Sequence, residues 1–82
     1  MTTEKILEQD EKMRFMLLNR MKQDCLYYLG YGNRCSKYLW ATNEVEQIRI
    51  MKILYNSFAD DKKPSWLTME DILQFERQML HQ

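Results

Sequence analysis

The sequence predicts an all-α fold, a small bundle of three main helices plus a short helical turn. Apolar residues recur at steps of three, four and seven over long segments, which is helical spacing. The residues that stop helices, two glycines and one proline, lie between those segments. A length of 82 residues is that of one domain, so residues 1–82 are assigned to a single helical domain.

The first helix is predicted over residues 3–29. Thr2 or Thr3 is a suitable N-cap, and Glu4 near the amino end suits the helix dipole. Gly30 occupies the position after the helix, where a glycine in left-handed geometry commonly ends one. The apolar positions that set the helical period are Ile6, Met13, Leu17, Met21, Cys25 and Tyr28.

An elbow rich in glycine and aromatic residues follows this helix. Residues 30–33 are predicted to reverse the chain tightly, because glycine and asparagine both tolerate positive φ. A short helical turn is predicted over residues 36–40. Tyr38, Leu39 and Trp40 are expected to close one end of the core.

The second main helix is predicted over residues 43–58. Asn43 is a good N-cap, and Glu46 stands where a capping box has its glutamate. We expect this helix to be nearly buried between the other two. Its apolar face is predicted to carry Val45, Ile48, Met51, Leu54, Tyr55 and Phe58.

The third main helix is predicted over residues 69–80. Thr68 is its expected N-cap, with Asp71 in the place that glutamate or glutamine usually takes in a capping box. Leu67 and Ile72 occupy the two positions of a hydrophobic staple, which would fix the angle at which the chain enters the helix.

Composition excludes several classes of function. Twelve basic residues balance twelve acidic ones, so the chain lacks the net positive charge on which non-specific binding to nucleic-acid phosphates depends. It has no apolar run of about 20 residues, the length that crosses a membrane, so no membrane association is expected. The amino end lacks the basic start and apolar run of a secretory signal. We therefore expect a cytoplasmic protein in which Cys25 and Cys35 are free thiols, Cys25 buried and Cys35 in a loop.

The residues that carry chemistry do not form a recognisable site. Cys25, Cys35 and His81 fit no zinc spacing and lack a fourth ligand. His81 is the only histidine and the penultimate residue, a poor place for a catalytic base. Gly30-x-Gly32 lacks the third glycine of a phosphate-binding loop and follows a helix rather than a strand. The sequence thus predicts a protein that is not an enzyme and has no cofactor and no metal.

The elbow also holds the candidate interaction surface. Arginine, tyrosine and tryptophan are favoured anchors of protein interfaces, and aromatic rings beside cations also stack on single-stranded bases. A third interpretation is that Tyr38 and Trp40 simply close one end of the core. The candidate residues are Tyr31, Asn33, Arg34, Lys37, Tyr38 and Trp40. Homo-oligomerisation is a further alternative, through the apolar residues Phe15, Leu18, Ile50 and Phe75.

From Met21 to Phe75 the chain resembles a small helical family, one of the large polyvalent protein associated domains of phages and conjugative elements in Firmicutes. The most distinctive part is Gly-x-Gly-Asn-Arg followed by Leu-Trp. The segments that carry the resemblance are Arg20-Met21-x-Gln23-Asp24-Cys25, Tyr28-Leu29-Gly30-Tyr31-Gly32-Asn33-Arg34, Leu39-Trp40, Glu46-Gln47-Ile48, Met51-Lys52-x-Leu54-Tyr55-Asn56-Ser57 and Lys63-Pro64-x-Trp66-Leu67-Thr68-Met69-Glu70-Asp71-Ile72.

The resemblance implies an all-helical accessory module without known catalysis, which acts on host functions, including host defences. A short chain of this kind is also similar in scale and origin to small anti-CRISPR proteins. We therefore expect a non-enzymatic interaction module that binds a host or phage protein. The alternatives are a nucleic-acid-binding accessory domain, which is less favoured, and a homo-oligomeric structural module.

Overall fold

A computed structural model describes residues 3–80 of the chain and confirms the all-α bundle. Four helices follow one another, α1 (Thr3–Leu7), α2 (Glu11–Leu29), α3 (Glu44–Asn56) and α4 (Met69–Leu80). Short 3-10 turns lie at Ser36–Tyr38 and Asp60–Lys62, and residues 3–80 contain no strand. Thr2, one of the two expected caps, and His81 lie outside the described residues.

The prediction of one continuous helix over residues 3–29 is wrong, because the chain breaks between α1 and α2. Asp10 has extended geometry, and its side chain accepts a 2.8 Å hydrogen bond from the Met13 backbone N–H. Because its carboxylate accepts hydrogen bonds from nearby backbone N–H groups, aspartate favours a helix start over a helix interior. On either side of the break Ile6 is fully buried, whereas Met13, expected on the buried stripe, is 48% exposed.

The elbow reverses the chain as predicted, but the residues with left-handed backbone geometry do not include the predicted Gly30. Gly30 has φ −103° and ψ −101°, whereas the left-handed residues are Asn33 (φ 52°) and Arg34 (φ 59°). Gly32 is needed for a close approach, since a Cβ there would lie 2.9 Å from the Tyr27 carbonyl oxygen. The Gly32 N–H donates to that oxygen over 2.7 Å, which fixes the start of the reversal.

The helical turn after the elbow is shorter than predicted, Ser36–Tyr38 rather than 36–40. Of the three residues expected to close the core, Leu39 is buried, Trp40 packs partly against the core and Tyr38 is exposed. The Trp40 N–H donates to the Asp24 carboxylate over 2.9 Å, so the backbone leaves the turn anchored to α2.

The central helix is α3, which contacts both α2 and α4 as expected. Its cap is confirmed, since the Asn43 side chain accepts from the Glu46 N–H over 3.0 Å. The Glu46 carboxylate pairs with Arg49, and this hydrogen bond lowers the pKa of Glu46. Val45 is 58% exposed, contrary to its predicted place on the apolar face. The buried arc of α3 is rotated away from it and is formed by Gln47, Ile48, Ile50, Met51 and Leu54.

The predicted bounds and cap of α4 are confirmed. The Asp71 N–H donates to the Thr68 hydroxyl over 3.1 Å, and the Thr68 N–H donates to the Asp71 carboxylate over 3.0 Å. Aspartate thus completes this capping box in place of the usual glutamate. Leu67 and Ile72, the predicted staple, are both fully buried.

Thr42 is held in left-handed geometry, with φ 54°. A β-branched residue in this region is strained, at a cost of about 1–2 kcal/mol, whereas asparagine tolerates it. We expect Thr42→Asn to raise the free energy of unfolding by about 1 kcal/mol, measured by urea denaturation. Thr68→Asn is the matched control, because position 68 lacks positive φ and both residues are good N-caps. Equal effects at the two positions would contradict strain at Thr42.

Candidate interaction surface

Helix α2 is the element to which the connecting segments are anchored. Four of its side chains form hydrogen bonds through nitrogen or oxygen atoms with residues at least 16 positions away, which holds the rest of the chain against its inner side. Arg14 donates to Ser57, Lys22 donates to the Trp66 carbonyl oxygen, and the Tyr28 hydroxyl donates to Glu44. The Asp24 carboxylate accepts from the Trp40 N–H. The opposite side of α2 is left open.

Exposed apolar side chains are concentrated on that open side. Within residues 3–80, eight large apolar side chains are exposed, and six of them belong to α2 and the segment that follows it. Single exposed apolar residues are ordinary, whereas a group on one side indicates a contact surface. The six are Met13, Met16, Leu26, Tyr27, Tyr31 and Tyr38.

We define the α2 face as the row along the open side of α2 together with the exposed residues at its carboxyl end. At 100° per residue, the five row members, from Met13 to Tyr27, lie within one sector of the helix surface. The ring of Tyr38 packs edge-on against Tyr27, with centroids 5.0 Å apart, which joins the 3-10 turn to the row. The α2 face consists of Met13, Met16, Arg20, Gln23, Tyr27, Tyr31, Lys37 and Tyr38.

Two clefts flank the amino-terminal half of the α2 face, and each has a tryptophan in its wall. The Trp40 cleft has a volume of about 200 Å³ and is lined by Gln9, Met13, Leu17 and Trp40. The Trp66 cleft has a volume of about 330 Å³ and is lined by Phe15, Met16, Asn19 and Trp66. The ring of Phe15 meets those of Phe58 and Trp66 at centroid distances of 4.6 and 5.9 Å, so the wall of this cleft is part of an aromatic cluster.

Cations outnumber carboxylates in this part of the chain. Residues 13–40 contain five cationic side chains and one carboxylate, Asp24. Asp24 is mostly buried and accepts from the Trp40 N–H. Arg20 and Lys37 are exposed, with the Arg20 Nε 3.9 Å from Asp24 and the Lys37 Nζ 5.4 Å from the Tyr38 ring centre. The α2 face therefore combines apolar and aromatic area with two accessible cations.

The residues predicted as an interaction surface separate into two groups. In the first group Tyr31 is 90% exposed, and Lys37 and Tyr38, which follow after five intervening residues, are exposed as well. Arg34 instead donates to the Gln78 carbonyl oxygen over 2.8 Å, tying the elbow to the end of α4. Asn33 contributes left-handed backbone to the reversal. The half-buried Trp40 belongs to the core margin and to its cleft.

Sequence reasoning missed the methionines of the α2 face and the role of Trp66. The helical period that Met13 shares with the core residues predicts a place for it on the buried stripe. An available signal was the step of four residues from Met13 to Leu17 and on to Met21, since each such step turns about 40° past a full helical turn and carries Met13 about 80° away from Met21. The residues proposed for homo-oligomerisation are not spare, since Leu18, Ile50 and Phe75 are buried and Phe15 packs against the core.

The thiols are placed as predicted, with Cys25 buried and Cys35 half-buried, both free. Burial raises the pKa of Cys25 to about 12, so its thiol is protonated at neutral pH, 3.6 Å from the Met51 sulfur. Burial and the hydrogen bond to Glu44 raise the pKa of Tyr28 above its usual value. Across residues 3–80, no group of three histidine, cysteine or acidic side chains could hold a metal ion.

Comparison with known proteins yields a family match. The family model of large polyvalent protein-associated domain 11 matches residues 11–79, which includes α2, α3 and most of α4. No curated protein and no solved structure matches the chain. In the part of the chain that the structure describes, no helix has the length and apolar character needed to cross a membrane.

Proposed function

The chain belongs to the family of large polyvalent protein-associated domain 11, and from that premise we propose that it is a non-enzymatic interaction module of mobile-element origin. The module binds a host or phage protein through the α2 face. The observation that carries this proposal is that five of the eight large apolar side chains exposed within residues 3–80 belong to the α2 face.

The composition of the surface supports a protein as the partner. Methionine adapts to irregular partner surfaces, and tyrosine supplies a large contact area with one polar group. Two tryptophan-walled clefts beside the row can receive partner side chains. The specific form of this function that the family resemblance favours is inhibition of a host defence system, in the manner of an anti-CRISPR protein.

A nucleic-acid-binding accessory domain is the second candidate, because Arg20 and Lys37 accompany three exposed tyrosines. Single-stranded nucleic acid is bound by this combination of cations and stacking rings. Arg14, Lys22 and Arg34 are already bonded to other parts of the chain, which leaves few cations for phosphates. Binding of this kind would weaken steeply with salt.

The test is affinity purification of the tagged chain from its host with nuclease treatment, followed by mass spectrometry. We expect a stoichiometric protein partner that survives nuclease and is lost or weakened at least tenfold by the double variant Met16→Ala with Tyr31→Ala. Val45→Ala is the matched control, since Val45 is an exposed apolar residue on α3. Thermal denaturation verifies that all variants are folded.

Other outcomes would refute the proposal in distinct ways. Partners that disappear with nuclease would favour nucleic acid, and recovery of the chain's own second copy alone would favour the homo-oligomeric module. A partner that binds both variants equally would place the interface elsewhere. If the partner belongs to a defence system, expression of the chain is expected to restore plaque formation by a phage that this system restricts.

A further inference from the structure

The row on the α2 face has the spacing of a helix-packing surface. Met13, Met16, Arg20, Gln23 and Tyr27 follow one another at steps of three and four residues. Side chains at these steps stand one above another along a helix, and such ridges pack into the grooves of a second helix. At about 1.5 Å per residue the row is about 21 Å long, enough for about four turns of a partner helix.

The two clefts give such a helix places for apolar side chains. The Trp40 cleft lies on one side of the row and the Trp66 cleft on the other, both beside the methionines. Aromatic walls around a cleft are typical of sites that bury an anchoring side chain. The apolar contacts are thus expected near the amino end of α2.

The charged groups are distributed unequally along the row. Arg20 and Lys37 accompany its central and carboxyl-terminal parts, where Asp24 is mostly buried and Glu44 accepts a hydrogen bond from the Tyr28 hydroxyl. Glu8, Asp10 and Glu11 are exposed around the amino end, together with Lys5 and Lys12. Glu46, from the side of α3, is paired with Arg49. A partner that complements this pattern carries its own carboxylates toward the end marked by Tyr27.

We infer that the partner docks on the α2 face as an acidic amphipathic helix. Its apolar side faces the methionines and the two clefts, and its carboxylates lie opposite Arg20 and Lys37. This inference rests on the proposed function and names its partner class. Protein fits the surface better than nucleic acid, because two accessible cations are few for phosphate binding while the row offers methionine and tyrosine.

The experiment places a benzophenone photo-crosslinking amino acid at single positions of the full chain in its host. Positions 16 and 27 probe the α2 face, and position 74, exposed on α4, is the matched control. Crosslinked peptides are identified by mass spectrometry after nuclease treatment. We expect positions 16 and 27 to capture the same acidic, amphipathic segment of one protein, and position 74 to capture none of it.

Charge reversal tests the electrostatic part with the captured protein, purified and titrated calorimetrically. Arg20→Glu and Lys37→Glu are each expected to weaken binding about tenfold, with smaller effects at high salt. Arg77→Glu makes the same change of charge on α4 and is expected to leave the affinity unchanged.

Each contrary outcome identifies which idea fails. Capture of a protein from position 74 alone, or of a basic or non-helical segment, overturns this inference and leaves the interaction function standing. Crosslinks to a second copy of the chain or to nucleic acid, or no crosslink at any position, overturn both.

Discussion

Replacing Gln47 by alanine is expected to lower the free energy of unfolding by about 4 kcal/mol. Gln47 is fully buried between α2 and the segment that precedes α3. Its amide oxygen accepts from the Ala41 N–H over 3.0 Å, and its amide nitrogen donates to the Met21 carbonyl oxygen over 3.2 Å. The substitution leaves a cavity and deprives the Ala41 N–H of its partner, two costs that add.

The loss would remove much of the stability of this chain. Domains of this length are typically stable by about 4–12 kcal/mol, so the variant is expected to be partly unfolded at moderate urea concentrations. Urea denaturation followed by circular dichroism measures the change. Gln78→Ala is the control, because Gln78 is exposed on α4 and only its carbonyl oxygen is used in a long-range bond. A loss below about 1 kcal/mol for Gln47→Ala would refute the role assigned to its side chain.

The parts of the fold that depend on local signals were predictable from the sequence. The caps at Asn43 and Thr68 need only a side-chain oxygen three residues before a free N–H, and both are present. Helix α4 has the predicted bounds because Asp71 reinforces that start and the chain has no breaker before residue 80. The all-helical class followed from a periodicity that every main helix shares.

The parts that depend on distant residues were not predictable in the same way. A polar residue such as Gln47 is ordinarily exposed, and its burial depends on carbonyl and N–H groups of Met21 and Ala41, which only the folded chain brings near it. Met13 lies at the edge of the apolar stripe, so whether it meets the core depends on how α3 and α4 pack against α2. Methionine has the same pattern in the sequence whether it faces the core or a partner, because periodicity records spacing and not direction.

The candidate surface shows the same division between local and tertiary information. Tyr31, Lys37 and Tyr38 were recognisable from composition, and the structure places them on the exposed surface. Arg34 is a cation in the same segment as Lys37, yet it donates a hydrogen bond to the Gln78 carbonyl oxygen, at the end of another helix. A cation's role is thus decided by whether a backbone carbonyl is close enough to satisfy it, and sequence proximity carries no information on that distance.

Ile6→Ala is expected to lower the free energy of unfolding by about 3 kcal/mol. Ile6 lies in α1, outside the residues 11–79 matched by the family model, and yet its side chain is fully buried with the core. Loss of its methyl groups creates a cavity at the place where α1 meets the bundle. Because α1 is only five residues long and cannot be stable alone, this burial is what holds it in place.

The control distinguishes burial from a general effect on α1. Leu7 is the next residue and is 41% exposed, so Leu7→Ala is expected to cost less than about 1 kcal/mol. Hydrogen exchange supplies a local measure, with faster exchange at Glu8 and Gln9, whose N–H groups bond to α1, in Ile6→Ala than in Leu7→Ala. If both variants unfold at the same urea concentration as the unmodified chain, the bundle of residues 11–79 is complete without α1. If only Ile6→Ala is destabilised, α1 belongs to the core, and the fold extends beyond the family match.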